Sequence, residues 1–414
     1  MHPRFRRLTY LATLLCLAGL GVAVAESFPP PGGGQFRGDA CNRGVFRATI
    51  PNTVVEKWQA SGSPYGAFRA PIAPAGSQHL FVPEGTHGLY ALNKANGSTA
   101  WHFTPAQVKF QWGLASQTDA SGTTLFALGE ANLSPTQQGT LICAFRDGAT
   151  APKLLWYRFL PTVFPWGDLT LGDGGLFFTA HDAAYAQYTL IALNAANGTL
   201  RFSLPLPAGS WAQTIKPAVD ARTHRAAVVL NDRLLWCRSD TGAVLSELTG
   251  IFVTSPVVID TLTDLYYVKA ADPATFTDQS LRCYRGTQLV WDAKVTAGFS
   301  GNTPGPPVLD NGVVYGSTGP WGYATTLALD AATGAPLWSN FGPALQTIFL
   351  SSNGRLVGHD DLANYWILDA ATGNVLDQGN FSTLAFPNTD MEIAASENAF
   401  YVVGDGARIV KLAP

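Results

Sequence analysis

The sequence predicts an all-β chain folded as an eight-bladed β-propeller of four-stranded antiparallel blades, the ring closed by the N-terminal strand joining the C-terminal blade. Three observations predict it. An 11-residue phrase recurs along the chain: an apolar strand, a polar turn ending in Gly, then a second strand carrying an aromatic. A further pair of apolar runs separated by a turn precedes each copy, so each repeat holds four strands, the content of a propeller blade. The composition suits a large core with many turns: 414 residues, 47% hydrophobic, 11% aromatic and only 13% charged, with 42 Gly and 27 Pro. So apolar a chain is not disordered.

Taken in order, the chain opens on an export signal. Arg4, Arg6 and Arg7 precede an apolar run over residues 8–22, and Ala23-Val24-Ala25 forms a small-x-small cleavage site. The run is short for a bilayer span, so residues 1–25 read as a cleaved signal peptide, and no transmembrane segment is expected in the mature chain. Leu15 before Cys16 argues against lipidation. Residues 26–52 form a lead-in, residues 53–414 the propeller, and the protein is expected to be secreted or periplasmic.

Within the propeller the clearest phrase is ALDAATGAPLW, residues 328–338, with relatives at 91–101, 192–202 and 367–377 and weaker copies at 236–246, 141–156 and 281–291. An Asp or Asn opens the turn by accepting backbone N–H bonds, and the Gly takes the positive φ of a tight hairpin. Taking the docking residue of each copy gives Trp58, Trp101, Trp156, Phe202, Leu245, Trp291, Trp338 and Leu376. Trp58 has no hairpins of its own and the last blade has no docking strand, so the first strand completes the last blade and no free edge remains.

The other chemistry is sparse. A net charge of −3 gives no footprint for nucleic acid. Cys41, Cys143, Cys237 and Cys283 remain after Cys16, without metal-type spacing, and read equally as buried thiols or as one or two disulfides. His181-Asp182 and His359-Asp360-Asp361 fall at turns between second and third strands and read as turn residues, not metal ligands. Asn96, Asn197, Asn132 and Asn380 lie in glycosylation-type contexts, but the first two belong to hairpin turns, which accounts for them.

The phrase A-x-D-x-x-T-G-x-x-x-W, matched by residues 328–338, resembles the tryptophan-docking motif of PQQ-type, quinoprotein-like propellers. The lead-in QFRGDACNRGVF, residues 35–46, resembles the FRGD-type opening of bacterial PQQ-repeat proteins. The catalytic members of that family imply a tricarboxylate quinone in the central funnel beside Ca²⁺. They are usually larger than this chain and many carry a vicinal disulfide absent here, so no cofactor is expected, with PQQ and Ca²⁺ as the alternative. The non-catalytic members, such as the BamB-type propeller of outer-membrane protein assembly, imply a binding or scaffold role with protein partners. A ligand in the funnel is expected to meet the loops entering the innermost strands. There Arg69 and Lys216 hold carboxylates, Trp112 or Trp166 stacks a ring, and Asp168, Asn302 and Glu392 offer oxygens to a cation.

Overall fold

The apolar runs form eight sheets arranged as successive blades. The computed structural model describes residues 38–46, 48–61, 72–84, 88–210, 212, 215–271, 280–294, 306–318, 325–342, 345, 347–359, 364–381, 392–404 and 408–414, with side chains at all except 111, 112, 318, 347, 392 and 404. The expected signal peptide lies outside these residues. Blades 1 to 7 span residues 72–103, 108–161, 163–205, 218–249, 252–292, 308–341 and 347–380. Blade 8 joins 392–413 to the strand Val55–Ser61. In blade 1 a bridge from Ile72 to Phe81 stands in the first strand's place.

The ring closes as expected: Val55–Ser61 pairs antiparallel with Arg408–Ala413, from Val55↔Ala413 to Ser61↔Arg408. The core confirms the closure. Buried apolar side chains gather in eight clusters, one between each pair of adjacent blades. The last joins Leu80 and Val82 of blade 1 to Tyr401 and Ile409 of blade 8.

The docking phrase works by contact between blades. Trp58, Trp156, Phe202, Trp291 and Trp338 lie against Gly97, Gly198, Gly242, Gly334 and Gly373 of the next blade's turn, each glycine at φ between 70° and 75°. A Cβ at any of them would come within 2.5–2.7 Å of the ring, so glycine is required both by φ and by space. Indole N–H groups of Trp156, Trp291 and Trp338 donate to Ala195, Ala331 and Ala370 at 2.9–3.1 Å. Trp101 donates instead to the Asp147 carboxylate at 3.0 Å, because blade 2 has the longer turn.

Two docking positions differ from the sequence reading. Leu245 is exposed, and Ser246 is the residue opposite Trp236 at the docking register. In blade 7 the register places Asp377, not Leu376, opposite Ile367. Trp236, in the third strand, packs in the same seam 5.1 Å from Tyr266, and a Cβ on Gly286 of the next turn would meet open space, while Asp377 accepts the Val54 N–H at 2.9 Å. The polar residues hid the register because no aromatic marks it.

All four cysteines are buried free thiols, which settles the choice left open above. The turn reading of Asn96 and Asn197 also holds, since their carbonyls accept the Ser98 and Thr199 N–H groups at 3.0 and 3.1 Å.

Candidate functional site

The innermost strands of successive blades touch one another around a central channel. Each has one edge paired to its own blade and the other facing the axis. At the turn end this free edge is filled by the lead-in. The N–H groups of Val219, Ile259, Leu309 and Leu350, each the penultimate residue of an innermost strand in blades 4 to 7, donate to the carbonyls of Ala40, Cys41, Arg43 and Gly44 at 2.7–3.0 Å. Val45–Phe46 then runs parallel to Leu350–Ser351, and Ala48 bridges Glu397 of blade 8. One extended strap thus satisfies five blades at about one residue per blade. Its shape is set by Gly38, Asn42 and Gly44 at positive φ and by an Arg43–Asp39 ion pair at 2.6 Å. Residues 38–46 of the opening singled out in the sequence belong to this strap.

The predicted ligand residues that the structure describes belong to the entry side of the innermost strands. Arg69 and Asn302 lie outside the described residues. Trp112 sits in Val108–Asp119 and Glu392 begins Glu392–Ser396, but their side chains are not described. Three remain. Trp166 donates its indole N–H to Ala212 at 2.6 Å and is enclosed edge-on by His181, Tyr185 and Tyr188 at 5.3–6.0 Å. Lys216 is 1% exposed, and its ammonium donates to the Asp39 carbonyl of the strap at 3.2 Å. Asp168 is half-buried beside the blade 2 entry segment, where a Cβ on Gly113 would lie 3.1 Å from its Oδ1.

Burial pushes the Asp168 carboxyl up to about 6, opposed by the Lys216 ammonium. Desolvation penalises the charged form more than the lysine favours it. Asp168 and Lys216 therefore share one electrostatic environment, whereas Trp166 belongs to the seam between blades 3 and 4. These three side chains do not together fit a tricarboxylate ring beside Ca²⁺, since the indole N–H of Trp166 and the ammonium of Lys216 are both engaged within the fold. Thr254 and Ser255 likewise serve their own loop: Thr254 N–H donates to Lys269, and Ser255 Oγ accepts the Lys269 N–H, both at 2.9 Å.

The histidines of the two His-Asp pairs stand at the ends of strands. His181 closes Gly175–Asp182, bonds the Asp182 carbonyl at 2.6 Å and stacks on Tyr185 at 4.0 Å. His359 is buried at the end of Arg355–His359, and Asp360 and Asp361 lie outside the described residues. Among the described residues no three His, Cys, Asp or Glu side chains gather as a metal site. The strap was the feature missed at the sequence level, although its pair of glycines flanking Asp39 and Arg43 was visible. No described helix is long and apolar enough to cross a membrane.

Residues 277–413 match the family model described as outer membrane protein assembly factor BamB. No curated protein sequence matches the chain. Among solved structures, the chain is similar to the quinohemoprotein alcohol dehydrogenase ADHIIG of Pseudomonas putida HK5 with a TM-score of 0.63, 10% identity, and 92% of this chain and 80% of that one covered. BamB from Moraxella catarrhalis gives 0.55 at 11% identity, covering 87% and 98%. A europium-containing methanol dehydrogenase gives 0.61 at 12%, covering 92% and 98%. These likenesses establish the quinoprotein-like propeller fold, which hosts both binding proteins and enzymes.

Proposed function

We propose that this chain is an exported, extracytoplasmic propeller that acts as a binding or scaffold protein, with envelope protein assembly as the setting. The observation that carries the reading is the use to which the funnel's charges are put. Lys216 holds the strap and the Trp166 indole holds a blade seam, so two groups suited to a quinone serve the ring itself. A rigid closed ring presents preformed loops and edges, which lowers the ordering cost of association. The match of residues 277–413 to the BamB model supports the setting.

A second reading, a PQQ-dependent dehydrogenase of alcohols or sugars, is favoured by one observation, the raised carboxyl of Asp168 at the entry to the innermost strand of blade 3. One experiment separates the two. PQQ with Ca²⁺ is added to the purified protein, and absorbance, melting temperature and dye-linked alcohol oxidation are followed. A ligand bound only by the native state raises stability by mass action, so the binding reading expects no thermal shift and no dye reduction. A concentration-dependent rise with turnover replaces it by the dehydrogenase.

A further inference from the structure

Blade 2 is longer than ring closure requires. Its strands run 12, 13, 10 and 9 residues, whereas among the described residues no strand of another blade exceeds 8. The extra length was visible as the widest spacing between docking aromatics, Trp101 to Trp156. It produces a long outer strand, Lys153–Pro161, with the sequence KLLWYRFLP. Within the described residues this strand pairs on one side only, with Gln137–Arg146. Leu154, Leu155 and Tyr157 are 47%, 44% and 65% exposed.

The register fixes which backbone groups face out. Thr162 N–H donates to the Gln138 carbonyl, extending the pairs Gly139↔Pro161 and Thr140↔Leu160. In an antiparallel ladder such bonded pairs alternate, so residues 156, 158, 160 and 162 bond inward, and Tyr157 and Phe159 turn their N–H and C=O groups outward. Trp156, docked on Gly198, pins the strand to blade 3. An exposed, ordered edge with apolar side chains is a template for strand addition. Its charge selects the occupant: Lys153 and Arg158 are the ionised groups of this strand, and it contains no carboxylate.

We propose that the outer edge of blade 2 is a docking strand for an extended segment of a partner protein in which apolar and acidic residues alternate, added as a further strand of the blade. The proposal rests on the binding reading above and names its surface. A second copy of the same strand is a poorer occupant. Centred on Tyr157, it places Arg158 diagonally across from its own copy on one face, and like charges facing across strands repel.

The test uses the full chain and three synthetic nine-residue peptides: alternating Glu and Val, alternating Lys and Val, and the Glu peptide with a central Pro. The Glu peptide is expected to bind and to slow amide exchange at Tyr157 and Phe159, with affinity at least about tenfold above the other two. Tyr157→Pro removes an outward donor at an exposed side chain and abolishes binding. The double change Lys153→Glu with Arg158→Glu leaves the inward ladder intact and reverses the preference to the Lys peptide. The proposal is overturned if the Glu peptide leaves Tyr157 and Phe159 unprotected, or if charge reversal leaves the preference unchanged. It is also overturned if sedimentation shows a dimer that Tyr157→Pro dissociates, since the edge then serves a second copy. Binding of peptide at another blade removes this surface but leaves the binding reading. Quinone-dependent dye reduction removes the binding reading but does not alter the exchange result.

Discussion

Gly373 has φ of +74°, and a Cβ there would lie 2.5 Å from the Trp338 ring, while Gly354 has φ of +72° and open space around it. The two share a backbone demand and differ in the docking contact. An L-residue in this conformation costs about 1–2 kcal/mol, and forcing a methyl into a packed seam adds about 1–3. Gly354→Ala is expected to show only the first cost and Gly373→Ala both, measured as the difference in denaturant midpoint at constant slope. Asp168 carries a second prediction. Its folded-state carboxyl sits near 6, above the ordinary value, so the native state holds the proton more tightly than the unfolded chain. Stability from this proton is fully present below about pH 4 and is lost as pH rises through 6. Asp168→Asn, which mimics the protonated form, is expected to be more stable than the parent at pH 7 by about 3 kcal/mol, the gap closing by pH 4. Calorimetric melts at both pH values check it.

Among the elements, the blades were readable because their information is local: a turn Gly, a preceding Asp or Asn and an aromatic 11 residues from the phrase's start recur within each hairpin. Closure by Val55–Ser61 was readable as a count of strands without partners. The strap was not, because its bonds reach one residue per blade, from Ala40 to Val219 and onward to Gly44 and Leu350, and such partners leave no periodic trace. Of the candidate site, the entry position of Asp168 and Lys216 was legible from the repeat. The engagement of Lys216 with Asp39 was not, since it depends on that strap. The strap's hydrogen bonds make a direct prediction. Removal of residues 26–44 leaves Val55–Ser61 to close the ring but strips the acceptors from Val219, Ile259, Leu309 and Leu350. These four amides are expected to lose exchange protection together, by about two orders of magnitude or more, while Val82 and Val402, whose strands pair within blades 1 and 8, keep theirs. Protection unchanged at the four would mean that the strap is not their acceptor in solution.

For the whole molecule, stability is distributed over eight similar seams and not over one central core, so the ring's cooperativity depends on the absence of an end. The cysteines report on this because each lies in a different seam: Cys143 between blades 1 and 2, Cys237 between 3 and 4, Cys41 between 4 and 5, and Cys283 between 5 and 6. Burial pushes the Cys143, Cys237 and Cys283 thiols up to about 12, so the reactive thiolate is scarce until a seam opens. In the intact ring, opening one seam strains the others, and Cys143, Cys237 and Cys283 are expected to alkylate at one common rate that follows global unfolding. Trp58→Ala cuts the ring at the seam between blades 8 and 1 by removing the indole bond to Lys94 and the packing on Gly97. In a cut ring, blade 1 becomes an end, and repeat arrays with free ends unfold from them. Cys143 lies one seam from the cut and Cys283 several seams away, so pulsed alkylation at increasing denaturant should label Cys143 first, then Cys237 and Cys283. Simultaneous labelling in the variant would mean that Val55–Ser61 holds the ring without its tryptophan, through the ladder with Arg408–Ala413 alone.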